Sequence, residues 1–204
     1  MFDSQSELVD YLIKRSFLNS KILKESFTKI NRVDFIPKEH SLLAYGDFPI
    51  PIGFEQTISQ PSTVAFMLNL LDITLGQKIL DIGSGSGWTT ALIAQSIGSK
   101  GKVWAVERIS ELIDFSRQNL AGYNFKNISI QKAGKEMGLP DKAPFNRILV
   151  SARADKLPEE LIKQLKINGI MIIPIKNSIW KITKTGEFEI MEQKFPGFSF
   201  VPLL

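Results

Sequence analysis

The 204-residue sequence contains no cysteine and a single histidine, His40. The first absence removes disulfides, thiolate nucleophiles and cysteine-ligated zinc together. The second leaves any histidine triad or multi-histidine metal site resting on one residue. His40 lies in "FIPKEHSLLAY", between a proline turn and an apolar stretch, where an exposed or capping role is expected. No metal site is expected. No apolar run is long enough to span a bilayer. The start, "MFDSQSELVDYLIKRS", has neither the basic head nor the apolar middle of a signal peptide. A cytoplasmic location is therefore expected. The net charge of +4 is mild, and "KINRVDFIPKEH" and "ITKTGEFEIMEQK" mix signs. A phosphate-tracking surface needs basic residues clustered on one face with aromatics between them. No such cluster is legible, so neither nucleic acid nor membrane is expected as a partner. A monomer is the expected state.

What is present suffices for one substantial core, since 44% of the residues are hydrophobic. Residues 1–204 read as a single domain, with a helical and loop segment over 1–76 and an alternating core over 77–204. From Ser4 to about Asn31, "LVDYLIK" and "ILKESFTKI" carry apolar residues at helical spacing. "YGDFPIPIG" reads as a structured loop, because apolar residues are threaded through its prolines and glycines. In "SQPSTVAFMLNLLD", Pro61 suits the first position of a helix. Beyond Lys78 the rhythm is strand and helix in turn: "KILDI", "WTTALIAQSI", "KVWAV", "ISELIDFSRQNLAGY", then strands at "NISIQ" and "RILVS" and a helix at "PEELIKQL". "IMIIPI", "SIWKIT" and "EFEIME" close the series as strands. The alternation predicts an α/β fold with a mainly parallel sheet covered on both faces and antiparallel at one end.

"KILDIGSGSGW" places Gly83, Gly85 and Gly87 directly after the first strand. In a doubly wound sheet ligands bind at the carboxyl ends of the strands, where strand order reverses. A dinucleotide fingerprint needs G-x-G-x-x-G, but Trp88 occupies its last position and the third glycine comes one residue early. Close pyrophosphate approach is thereby disfavoured. Glu107 ends the second strand about twenty residues on, where an acid can take both hydroxyls of a ribose. The bland alternative is a tight turn beside a surface charge; the strand, loop, helix, strand and acid in register favour nucleoside binding.

Asp81, Gly83, Gly85, Gly87 and Glu107 together resemble the donor site of class I S-adenosylmethionine-dependent methyltransferases, whose loop reads D/E-x-G-x-G-x-G. The resemblance implies a Rossmann-like doubly wound core with an N-terminal helical segment. It implies S-adenosyl-L-methionine as cofactor, S-adenosyl-L-homocysteine as product, and Ile58, Ser84 and Arg108 beside the motif residues at the donor. "AYGDFPIPIGFEQTISQPSTVAFMLNLL" more closely resembles the signature of protein-L-isoaspartate O-methyltransferases, and the likeness continues through "GLPDKAPF" to the closing "FVPLL". Such enzymes methylate the free carboxylate of isoaspartyl residues in damaged proteins. The implied partners are isoaspartyl-containing proteins and peptides.

The chemistry fits independently. A carboxylate with an ordinary pKa near 4 is already nucleophilic at neutral pH, so no general base is required. By resemblance Ser59 lies between acceptor and donor and is the expected catalytic positioning group. The alternative is a serine that caps the following helix. Thr57, Ile52, Val201 and Leu203 are expected at the acceptor, with Ile50 and Pro51 on the rim or in the core. The chain departs from the family pattern at Glu55 (glycine is usual), at Gly134 (an acid that holds the adenine amine), at Asn146 (aspartate), and at Arg153, which interrupts a run of small residues. Arg153 reads as a carboxylate clamp or a solvated charge. These departures leave open a divergent relative that binds S-adenosylmethionine but methylates another carboxylate or has lost turnover. A nicotinamide-dependent oxidoreductase is the remaining alternative, disfavoured by the glycine spacing.

Overall fold

A computed structural model describes residues 2–203, which excludes Leu204, the final residue of "FVPLL". The N-terminal helical stretch divides into α1 (Gln5–Lys14) and α2 (Lys21–Lys29). The break includes Ser16, whose φ of 58° is left-handed and cannot continue a right-handed helix. Leu8 and Leu12 of α1, with Leu23 and Phe27 of α2, recur at helical spacing and are buried. Two 3-10 turns follow, Arg32–Phe35 and Lys38–Leu43; His40 lies on the second, partly buried.

The proline-rich segment is more regular than a loop. It forms an antiparallel hairpin of β1 (Ile50–Gly53) and β2 (Gln56–Ile58), with Ile50 opposite Ile58 and Gly53 opposite Gln56. Ile50 and Ile52 point inward while Pro51 and Gly53 face out, a period of two that the prolines obscure in the sequence. Phe54 and Glu55 make the two-residue turn, both at positive φ (54° and 58°), as a hairpin of matching twist requires. Helix α3 (Pro61–Leu71) starts with Pro61 at its first position, as the sequence predicts.

The core elements follow as β3 (Lys78–Ile82), α4 (Trp88–Ile97), β4 (Lys102–Glu107), α5 (Ser110–Ala121), β5 (Ile128–Lys132), β6 (Phe145–Val150), α6 (Glu159–Lys163), β7 (Leu165–Ile175), β8 (Ser178–Lys184) and β9 (Ile190–Pro196). They build one seven-stranded sheet in the order β5-β4-β3-β6-β7-β8-β9. The pairs from β5 to β7 are parallel, and β8 and β9 add an antiparallel end. Alternate residues of each strand feed opposite layers. Ile79, Val103, Leu149 and Ile172 pack with α1 to α4, whereas Leu80, Val106, Ile148 and Met171 pack with Leu161 of α6. Three elements differ from the sequence reading, the first being β7, which begins at Leu165, ahead of "IMIIPI". Helix α6 is shorter than "PEELIKQL", and the last strand starts at Ile190 because Thr185 and Gly186 turn back onto the Glu189 carbonyl.

Candidate active site

Strand order reverses between β3 and β6, and the main cleft opens at the carboxyl ends of β3, β4 and β6. The loop after β3 is anchored from below: the Gly83 amide donates to the Val106 carbonyl at 2.9 Å, and the Gly87 amide to the Ser84 carbonyl at 2.8 Å. Gly83 (φ 75°), Gly85 (φ 52°) and Gly87 (φ 89°) all sit in left-handed backbone. A Cβ on Gly85 would lie 3.3 Å from Ile52 Cδ1, so this glycine lets the β1–β2 hairpin close over the loop.

Glu107 is 8% exposed and faces the loop. Its Oε2 accepts from the Gly85 amide at 2.9 Å, and its Oε1 accepts from the amides of Arg108 (2.7 Å) and Ile109 (3.1 Å). Each carboxylate oxygen offers about two acceptor sites, so Oε2 retains one toward the cleft. Ser84 Oγ and Trp88 Nε1, both on cleft-lining residues, are buried without a partner among the described residues. Buried polar groups are ordinarily bonded. An acceptor carboxylate at the neutral glycine loop, with unused polar groups beside it, suits a nucleoside joined to an amino acid.

Of the residues expected at donor and acceptor, Ile52, Thr57, Ile58, Ser59, Gly83, Ser84, Gly85, Glu107, Arg108, Val201 and Leu203 all line this one cleft. Asp81 and Gly87 stand off it. Asp81 lies fully buried beneath the loop, its Oδ2 accepting from the hydroxyls of Thr90 (2.6 Å) and Thr89 (3.2 Å). Burial raises its pKa from 3.8 to about 6, opposed by the two threonines and assisted by Glu107. Gly87 packs against α5, where a Cβ would lie 3.1 Å from Ser116 Cβ, so its missing side chain serves helix packing. Ile50 is core, fully buried, not rim.

A second cavity adjoins the first and shares Thr57, Ser59, Ser151 and Val201 with it. Its other walls are Pro49, Gln60, Thr63, Ser199 and Phe200, so its lining is rich in hydroxyls and, among the described residues, carries no charge. Ser59 does not cap α3. The cap residue is Gln60, and Asp47 accepts from the Ser62 amide at 2.9 Å through Oδ1 instead.

The family model for protein-L-isoaspartate(D-aspartate) O-methyltransferase matches residues 3–204. The chain belongs to this family. A protein-L-isoaspartate O-methyltransferase of Ignicoccus hospitalis is 37% identical, over 100% of this chain and 99% of its own. One from Methanopyrus kandleri is 39% identical, over 98% and 91%. Among solved structures, a Plasmodium falciparum chain described as such an enzyme superposes with a TM-score of 0.87 at 26% identity, over 100% of this chain and 99% of that one. It was solved in complex with S-adenosyl-L-homocysteine.

The departures from the family pattern have definite places. Glu55 is exposed on the hairpin turn, and Gly134 is exposed with nothing within 4 Å of an added Cβ. Asn146 Oδ1 accepts from the Lys78 amide at 2.9 Å, tying the starts of β6 and β3. The Arg153 side chain does not line the cleft. Its main chain brackets the C-terminal segment: its amide donates to Val201 and its carbonyl accepts from Leu203, both at 2.8 Å. Residues that the sequence reading missed include Arg32, Asp47, Ser151 and Ser199. The first two carry no periodicity signal, and the serines are placed only by the sheet's topology.

Proposed function

We propose that the chain transfers a methyl group from S-adenosyl-L-methionine to the free carboxylate of L-isoaspartyl residues in damaged proteins, leaving S-adenosyl-L-homocysteine. The observation that carries this reading is the shared wall. Thr57, Ser59, Ser151 and Val201 border both the glycine-loop cleft and the hydroxyl-lined cavity, so donor and acceptor can meet at one partition.

In this reading Glu107, Gly83, Ser84, Gly85, Arg108 and Ile58 hold the donor, and Asp81 and Gly87 support the loop from behind. The bound donor supplies an electrophilic methyl on a sulfonium. The protein's task is alignment and exclusion of water, because the acceptor carboxylate is nucleophilic without deprotonation. Ser59 directs its hydroxyl to that carboxylate. Two features support this role: Asp47 already provides the cap that Ser59 would otherwise make, and Ser59 stands on the partition. Thr57 and Val201 shape the acceptor side from the partition, whereas Ile52 and Leu203, also expected at the acceptor, line the donor cleft and not the second cavity. The O–CH3 bond forms as the S–CH3 bond breaks, the carboxylate becomes a neutral ester, and no proton moves.

We read residues 1–204 as one catalytic domain, because Ile52 and Ser59 from the first 76 residues and Ser84 and Glu107 from the remainder share a cleft. We also read the enzyme as cytoplasmic and monomeric, with no nucleic acid or membrane partner. Among the described residues no helix is long and apolar enough to cross a membrane. The test is radiolabelled methyl transfer to peptides that differ only in an isoaspartyl or aspartyl linkage. Base-labile label in isoaspartyl peptides of varied sequence, and negligible label in their aspartyl counterparts, is expected. Equal labelling of both, or donor binding with no transfer, would overturn the reading.

A further inference from the structure

Arg32 is a cation with no solvent exposure. Its Nη1 donates to the carbonyls of Ala44 (2.8 Å) and Gly46 (2.9 Å), and its Nη2 to those of Phe48 (3.0 Å) and Ser59 (3.1 Å). The guanidinium carbon lies 5.3 Å from the centre of the Trp88 ring, which lines the donor cleft. No carboxylate forms an ion pair with Arg32 among the described residues. Asp47, the acid that acts on it electrostatically, is committed to the Ser62 amide and the Tyr11 hydroxyl.

We propose that Arg32 is the positioning residue of the acceptor side, fixing the main chain at Ser59 relative to the donor loop. The proposal rests on the assignment of Ser59 made above and extends it to a residue that touches neither substrate.

A buried charge is a poor way to gain stability alone, because an apolar side chain of similar volume often does as well or better. Burial lowers the Arg32 pKa to about 9, which leaves the group charged at neutral pH. What the guanidinium provides is geometry. Its rigid planar fork reaches two separate chain segments, residues 44–48 and Ser59, while its face rests on the residue that heads α4. A lysine ammonium keeps the charge but offers donors from one point and cannot bridge both segments in one plane. Misplacing a reacting group by about 1 Å can cost roughly a hundredfold in rate.

The test is a double-mutant cycle of Arg32→Lys and Ser59→Ala, with turnover on an isoaspartyl peptide and donor affinity measured separately. Transfer by the wild-type enzyme is established first; its failure would remove the underlying reading, whatever Arg32 does. Arg32→Lys should cut kcat by about tenfold or more while donor affinity stays within about twofold. In the Ser59→Ala background the same change should cost less than about twofold, because a residue acting through Ser59 loses its effect with it. Unchanged turnover, a parallel fall in donor affinity, or additive losses would each overturn the proposal. If Arg32→Lys does not fold, Arg32→Gln, which removes the buried charge, carries the same measurements. Failure of both to fold would make Arg32 a folding residue and overturn its positioning role.

Discussion

Asp81 should make the protein less stable at neutral pH than at mildly acid pH. The carboxyl is fully buried, its Oδ1 has no partner among the described residues, and its pKa is raised from 3.8 to about 6. The folded state therefore binds this proton more tightly than the unfolded state does. Between these two pKa values the folded chain carries more protons, so stability falls as pH rises through about 4 to 6. Two units correspond to about 3 kcal/mol, most of which should be regained by pH 4. Other groups titrate in the same window, so the measurement is a difference. Denaturant unfolding of the wild type and Asp81→Asn should be followed from pH 7.5 to 4. The amide oxygen still accepts from Thr89 and Thr90, and any fixed cost of the substitution cancels between pH values. The stability of the variant relative to wild type should fall by about 2–3 kcal/mol from neutral pH to pH 4. A pH-independent difference would refute the reasoning, and so would one of opposite slope. Bound S-adenosylmethionine, a cation, should lower the midpoint of this transition by favouring the ionised form.

Gly134→Asp should tighten donor binding by roughly tenfold to a hundredfold in calorimetry, the worth of one hydrogen bond to a charged group. Space around Gly134 is open, so unchanged or weaker binding would mean that the adenine lies elsewhere. Ser59→Ala should cut single-turnover methyl transfer by about tenfold to a hundredfold with donor affinity preserved; unaltered transfer would reduce Ser59 to a wall. Gly87→Ala should destabilise the fold by about 1–3 kcal/mol in denaturant unfolding, since it adds left-handed strain and crowds α5. A neutral result would show that α5 can yield around Ser116 and Leu120.

Much of the core was legible because it rests on local rules. The apolar strand runs, Pro61 at a helix start and the alternate glycines each have a backbone cause that leaves a mark within a few residues. The hairpin was missed for an equally local reason: Pro49 and Pro51 advertise a loop, and the alternation of Ile50 and Ile52 is too short to contradict them. Arg32 and Asp47 were illegible for a different reason. A charge held by main-chain carbonyls, like Arg32, or by a helix amide, like Asp47, has the same sequence appearance as a solvated one. Gly87 shows the converse, a motif residue expected at the donor whose physical work, packing against Ser116 and Leu120, lies outside the cleft.

The placement of charge around the partition follows from the reaction itself. As the ester forms, the acceptor carboxylate loses its negative charge, so a cation in direct contact would stabilise the starting state more than the transition state. Binding energy spent that way raises the barrier. Neutral hydroxyl donors cost less in this respect, because they orient the oxygen without holding on to a charge that must disappear. The cavity beyond Ser59, the acceptor side in the proposed reading, fits that pattern, with Thr57, Thr63, Ser151 and Ser199 around it and no ionisable lining residue among the described residues. Arg32 contributes its four hydrogen bonds from behind the wall, and its contact with Ser59 is to the carbonyl, on the main chain. Asp81 stands beneath the donor loop in the same way, reaching the cleft only through Thr89. In the proposed reading the site keeps these two buried charges as structural supports and presents the acceptor with neutral groups, the arrangement that favours transfer from a sulfonium to an anion.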